Sequence, residues 1–320
     1  MSFAGFGRSE IPFDMLAMGR HADEARRFAK LGAIYHRGQD LAWDGRAVLA
    51  ELVEKHGGIR LDDARRRALS RLFGIIMWGE LAAWKISAQL ADRLEPLEAK
   101  LAATSQAHDE ARHFYVMHDY LRLLGFVPTT LDRFARVPLD LVLETDDLAA
   151  KLLGMQLQVE TLALTIFQAI RETRVEPVLA DLLLYFEKDE ARHVGLGVQL
   201  LPSMLRRKNV AQGLRLLVFQ LQVIFWSLAE LKALEPDMRV LGLDPRRIMT
   251  LGKQKQLAAY EQLWALAGAP PTREPVSRFI DGVCELVFPA PETAPGIGPR
   301  LRAAFAMART GRTVAPASLD

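Results

Sequence analysis

Apolar residues recur at helical spacing along most of the chain, and strand-like alternation is scarce. Pro, Gly and capping residues cut this pattern into long segments. Up to about Gly58 it is mixed, with helices expected over 23–35 and 44–55, the second ended by His56–Gly58. Asp62 suits the cap of a helix running to about Leu94, and Pro96 opens the next, which stops at Gly125. A linker carrying Pro128 and Pro138 follows. Thr145 or Asp146 caps a third long helix to about Thr173. Pro177 sits in the first turn of a fourth, ending near Leu201. Segments 209–234 and 244–267 read as two more helices. Short ones over 276–287 and 298–309 follow, then a frayed tail, "RTVAPASLD". The reading is all-α. A single domain over 1–320 holds a bundle at about 62–201, with helical extensions 1–61 and 202–320.

Charge interrupts the apolar pattern where it should be costly. Glu80 stands in "FGIIMWGELAAW" and Glu160 in "GMQLQVETLAL". A carboxylate with apolar neighbours is expensive to bury unless it is paired, hydrogen-bonded or bound to a metal. Thirty residues after each comes the same word, "DEARH", at 109–113 and 189–193. Within it Glu110 and His113, and Glu190 and His193, are three residues apart and share a helix face.

The midpoint of 80 and 110 lies beside Pro96, and that of 160 and 190 just before Pro177. A helical hairpin turning there travels about 15 residues, ~22 Å, and returns level with its start. Each hairpin thus sets one Glu beside one Glu-x-x-His. Two hairpins face to face converge four glutamates and two histidines. Four buried carboxylates repel one another unless cations neutralise them. Two divalent metals do so, and mixed oxygen and nitrogen ligation suits iron or manganese better than zinc.

Composition narrows the field. The chain has 320 residues, half of them hydrophobic, with a net charge of +2 and interspersed Lys and Arg, which argues against nucleic acid. The runs Arg65–Arg67 and Arg206–Lys208 read as a solvated helix face and a helix end. One cysteine, Cys284, excludes an internal disulfide and a thiolate cluster, so a reducing, cytoplasmic setting is expected. "MSFAGFGRSEIPF" lacks the features of a signal peptide. The most apolar window, 214–231, contains Arg215, Gln220, Gln222 and Glu230. It is expected to be a buried or dimer-interface helix, with no membrane span and with a homodimer as the assembly.

Glu, Glu-x-x-His, Glu, Glu-x-x-His on four helices resembles the ferritin-like di-iron carboxylate superfamily over about 62–201. The resemblance implies a ferritin-like four-helix bundle with two iron ions, or a manganese–iron pair, in its core. Glu80, Glu110 and His113 would hold one metal and Glu160, Glu190 and His193 the other, with Glu110 and Glu190 as bridges. It also implies that Asp189 accepts a hydrogen bond from His113 and Asp109 one from His193. Arg112 and Arg192 would neutralise these aspartates.

Departures narrow the family. Small subunits of ribonucleotide reductase carry Asp as first ligand and a radical Tyr, where this chain has Glu80 and Met117. The arylamine N-oxygenases add a His where Phe186 stands. The mixed-metal oxidases cross-link a Val and a Tyr at the positions of Ala82 and Met155. Ferritins are more compact. The implied activity is an O2-dependent hydroxylase, desaturase or other oxygenase of an apolar small-molecule or acyl substrate. Electrons would come from an external ferredoxin or reductase, because the chain shows neither a dinucleotide loop nor clustered cysteines. The alternatives are a ferroxidase or peroxide-scavenging iron handler, and a metal-free scaffold.

Positions one turn from the ligands are expected to line a substrate pocket: Met77, Trp84, Gln106, Met117, Gln156, Leu164, Phe186 and Gly197. Thr161 and Thr165 are expected to hydrogen-bond back to their own helix.

Overall fold

A computed structural model describes residues 18–267 and 273–311, which are helical and carry no strand. The first residues and the expected frayed tail at 312–320 lie outside the described residues.

Two long hairpins form the centre. In the first, α4 (Asp63–Arg93) packs along α5 (Leu97–Leu124). Asp62 caps α4 by accepting from the Arg65 amide, and Gly125 ends α5 at φ 86°. In the second, α8 (Glu160–Thr173) packs along α9 (Pro177–Leu205). Buried Glu176 caps α9 through the amides of Val178 and Leu179 and accepts a hydrogen bond from Tyr120. The hairpins meet where α5 packs on α9.

N-terminal helices cover this junction. The segment expected as one helix over 23–35 is two, α1 (Met18–Arg27) and α2 (Ala29–Asp40), and α2 packs on α5 and α9. Next, α3 (Gly45–His56) starts at Asp44, whose side chain accepts from the Arg46 and Ala47 amides, and ends at Gly57 with φ 66°.

The expected linker after α5 is a correction. Pro138 lies inside a twelve-residue helix, α6 (Arg133–Glu144). Proline forgoes one backbone hydrogen bond there. Burial of Ala135, Pro138, Leu139 and Val142, with α6 packed against later helices, offsets the loss. The buried Lys151 ammonium donates to the Val142 and Leu143 carbonyls and so holds the far end of α6.

The cap of the following helix also differs. Asp147, not Thr145 or Asp146, accepts from the Ala149 and Ala150 amides and starts α7 (Leu148–Leu152). Seven residues in π geometry, Leu153–Val159, then lead directly into α8.

Beyond the hairpins run α10 (Val210–Ala233), α11 (Glu235–Val240), α12 (Pro245–Ala267), α13 (Arg273–Val287) and α14 (Ile297–Thr310). A capping box between Asn209 and Gln212 opens α10. This helix is apolar and long enough to cross a membrane by composition, but it is two-faced. Leu216, Val223, Ile224, Leu228 and Leu231 are buried, whereas Val210, Leu214, Val218 and Phe225 are exposed.

Candidate metal centre

Glu80 projects from the middle of α4, Glu110 and His113 from α5, Glu160 from the start of α8, and Glu190 and His193 from α9. All six are buried. Their ligand-type atoms fall into two groups, each within 4.8 Å: Glu80, Glu110, His113 and Glu190; and Glu110, Glu160, Glu190 and His193. Glu110 and Glu190 belong to both.

The Nδ1 atom of His113 lies 3.1 Å from Glu190 Oε1 and 3.5 Å from oxygens of Glu80 and Glu110. The Nδ1 atom of His193 lies 2.8 Å from Glu190 Oε2 and 3.1 Å from Glu110 Oε1. Both rings therefore turn Nδ1 into the cluster. Their other nitrogens cross between the hairpins: His113 Nε2 is 3.0 Å from Asp189, and His193 Nε2 is 3.3 Å from Asp109. Arg112 and Arg192 each reach both aspartates at 2.5–2.8 Å, closing a ring of two buried ion pairs behind the histidines. The Trp43 indole, just before the cap of α3, donates to Asp189 at 2.8 Å, and Arg112 lies over its ring. No periodicity marked Trp43 in the sequence. Phe186 stacks on His113 with ring centroids 4.2 Å apart.

Two glutamines brace the glutamates. Gln106 donates to Glu110 at 2.9 Å and to Glu160 at 3.0 Å, and Gln156, on the π stretch, donates to Gln106 at 3.0 Å. Even so, Glu110 Oε2, Glu190 Oε1 and His113 Nδ1 have no hydrogen-bond partner. Buried polar atoms are almost always satisfied. Three orphaned atoms aimed at one another, on carboxylates and an imidazole, fit cations.

The charge state points the same way. Burial, joined by the neighbouring carboxylates, pushes Glu80 and Glu160 well above the usual carboxylate range. Burial opposes ionisation of Glu110 and Glu190 too, but the two histidines outweigh it and hold both low. Burial disfavours the imidazolium form, yet Asp189 and the glutamates around His113, and the glutamates and Asp109 around His193, raise both rings well above their usual range. Without metal, two neutral glutamic acids, two glutamates and two imidazoliums sum to zero charge. Two divalent cations with four glutamates and two neutral histidines also sum to zero.

A largely apolar, partly open cavity reaches Glu80 and Glu160. None of the eight residues expected to line a pocket lines it. Met77, Met117, Leu164 and Phe186 are packed in the core, Trp84 is 38% exposed, and Gln106 and Gln156 hold the glutamates. The space expected at Gly197 is filled: a Cβ there would meet Gln156 Cβ at 2.8 Å. A step of one turn, three or four residues either way, lands on one or the other side of a ligand. Met77 and Trp84 lie on one side of Glu80, whereas the wall is made by Ile76 and Ala83 on the other. Thr165 donates to the Thr161 carbonyl at 2.7 Å, while the buried Thr161 hydroxyl has no partner.

No family model and no curated protein matches the chain. Among solved structures it is similar to a Synechococcus protein with aldehyde deformylating oxidase activity, at 22% identity and TM-score 0.53. That match covers 63% of this chain and 94% of the other. It is also similar to a variant of an R2-like ligand-binding oxidase with a reconstituted Mn/Fe cofactor, at 15% identity and TM-score 0.51. Here the match covers 74% of this chain and 92% of the other. The chain shares the ferritin-like helical fold of these two oxidases and has its own buried cluster of four glutamates and two histidines at the centre.

Proposed function

We propose that the protein is an O2-activating di-metal oxidoreductase that hydroxylates, desaturates or otherwise oxidises an apolar organic substrate. The observation that carries this is the pair of overlapping ligand groups sharing Glu110 and Glu190, with orphaned donor atoms facing inward. Glu80, Glu110 and His113 would hold one ion and Glu160, Glu190 and His193 the other, as two irons or a manganese–iron pair. Bound there and reduced by an external ferredoxin or reductase, the pair supplies the reduction of O2 and the oxidation of a nearby substrate bond.

The rest falls to the chain. Asp109 and Asp189 fix the imidazole orientation and keep Nδ1 free for a metal. Gln106 ties Glu110 to Glu160 across the hairpins. The apolar cavity reaching Glu80 and Glu160 gives an apolar molecule a place beside the centre. That cavity favours an oxygenase over an iron-storing ferroxidase, which needs a polar route to its metals.

Oxygen consumption by the iron-loaded, chemically reduced protein tests the reading. Uptake is expected to rise when medium-chain alkanes, alcohols or aldehydes are added, and oxidised product to appear. Uptake unaffected by every such compound, with ferric mineral as the product, would replace this reading by the ferroxidase.

A further inference from the structure

The same cavity carries a third glutamate. Glu230 sits on the buried face of α10, only 6% exposed, and lines the cavity together with Ser227 one turn earlier. Neither of its carboxyl oxygens has a hydrogen-bond partner of normal geometry, and the Ala135 amide offers only a weak one. Arg71 stands near but is committed elsewhere, donating to Asp132 at 2.9 Å and Asp237 at 3.0 Å. A buried carboxyl group left unmatched is costly.

Position suggests what would match it. Leu72 and Glu80 both line the cavity and are eight residues apart on α4, which is ~12 Å at the helical rise. Glu230 belongs to the Leu72 end, beside Arg71 and Asp132, and the glutamates of the cluster belong to the other. Nearly all the lining between them is aliphatic. The cavity lining is thus apolar in the middle, with carboxyl groups toward both ends.

We propose that Glu230, aided by Ser227, recognises a neutral hydrogen-bonding group, a hydroxyl, carbonyl or amide, at the end of an apolar substrate remote from the metal centre. This rests on the oxygenase reading and names its substrate class: a medium-length aliphatic molecule with a polar terminus. The charge state agrees. Burial and the Asp132 charge, against Arg71 and the Ala135 amide, push the Glu230 carboxyl up to about 7. Near neutrality its acid form can both donate to and accept from an uncharged group, whereas a carboxylate-ended ligand would be disfavoured by Asp132.

The test uses the full chain with its metals and two probes, n-octanol and n-octane, with binding read by calorimetry and methyl NMR shifts. Wild type is expected to bind octanol roughly tenfold more tightly than octane, the effect of satisfying one buried polar group. Glu230→Gln, which still donates and accepts, is expected to keep most of that preference. Glu230→Leu, similar in size, is expected to abolish it while still binding octane. Equal preference in all three proteins, or no binding of either probe by wild type, overturns the proposal. Metal content is measured in the same samples. Two ions per chain in wild type sustain the di-metal reading whatever the probes do, and their absence defeats that reading separately.

Discussion

His113 and His193 are supplied by the same five-residue word but are held differently. The aspartate behind His113, Asp189, is gripped by Arg112, Arg192 and the Trp43 indole. The one behind His193, Asp109, is gripped by the two arginines. The glutamate arms differ as well. Glu80 stands in an unbroken α-helix, whereas Glu160 follows seven residues of π geometry. Such a stretch shifts the helix face by part of a turn and often marks a functional position. Here it places Gln156 against Gln106, which donates to Glu160. A repeated sequence has therefore given equivalent candidate ligands in unequal settings, so the two proposed metal positions should differ in affinity.

The sharpest way to break the comparison is to remove what the halves share. Glu110→Ala is expected to lose both ions, because Glu110 belongs to both ligand groups, whereas Glu80→Ala should lose chiefly the ion on the His113 side. Metal-to-chain ratios after desalting separate the two, and equal losses would refute shared ligation.

Next come the aspartates. Asp189→Asn should weaken the position at His113, and Asp109→Asn that at His193, each by roughly 10–100-fold. Trp43→Phe should have a smaller effect of the same kind, roughly several-fold and confined to the His113 position, because the arginines still hold Asp189. Competitive chelator titration reads both steps. An equal effect of Trp43→Phe on both would remove the asymmetry.

Protons give a third test. The neutral forms of Glu80 and Glu160 and the imidazolium forms of His113 and His193 hold four protons that two divalent cations displace. Loading two ions should release about four protons per chain, measurable by calorimetry in buffers of different ionisation enthalpy. These four groups all have raised pKa values when folded. Their contribution to metal-free stability is complete below the unfolded values of 4.5 for Glu and 6.5 for His and is lost as pH rises through the folded ones. The melting-temperature gap between loaded and metal-free protein should thus widen as pH rises past about 4.5, and more steeply past about 6.5 where the histidines join. A constant gap would contradict the charge assignment.

The smallest expected effect concerns the packing of the π stretch. Gly197→Ala brings a Cβ to 2.8 Å from Gln156. It should cost roughly 1–3 kcal/mol in urea unfolding and loosen the Glu160 arm without touching Glu80.

The long elements and the six converging residues were legible because both rest on period. Apolar spacing set the hairpins, and Pro96 and Pro177 set their turns. Glu80 and Glu160 stood out as lone charges in apolar runs. What escaped obeys no period. Pro138 reads as a breaker, and only the packed face of α6 overrides it. The π stretch leaves no mark in "LGMQLQV". Trp43 reaches Asp189 across 146 positions of chain. The cavity beside Glu80 lies on the flank of Ile76 and Ala83, opposite Met77 and Trp84, and a turn of three or four residues points to either side. Glu230 was legible by the rule that found Glu80, since it too is a lone carboxylate in an apolar run, "VIFWSLAELKAL".

Anomalous diffraction at the iron and manganese edges, from crystals of the protein loaded in the presence of both metals, tests the central claim most directly. The expected result is two ions: one contacting Glu80 and His113, one contacting Glu160 and His193, and both contacting Glu110 and Glu190. A single ion, or a metal-free cluster closed by protons between its carboxylates, would contradict it.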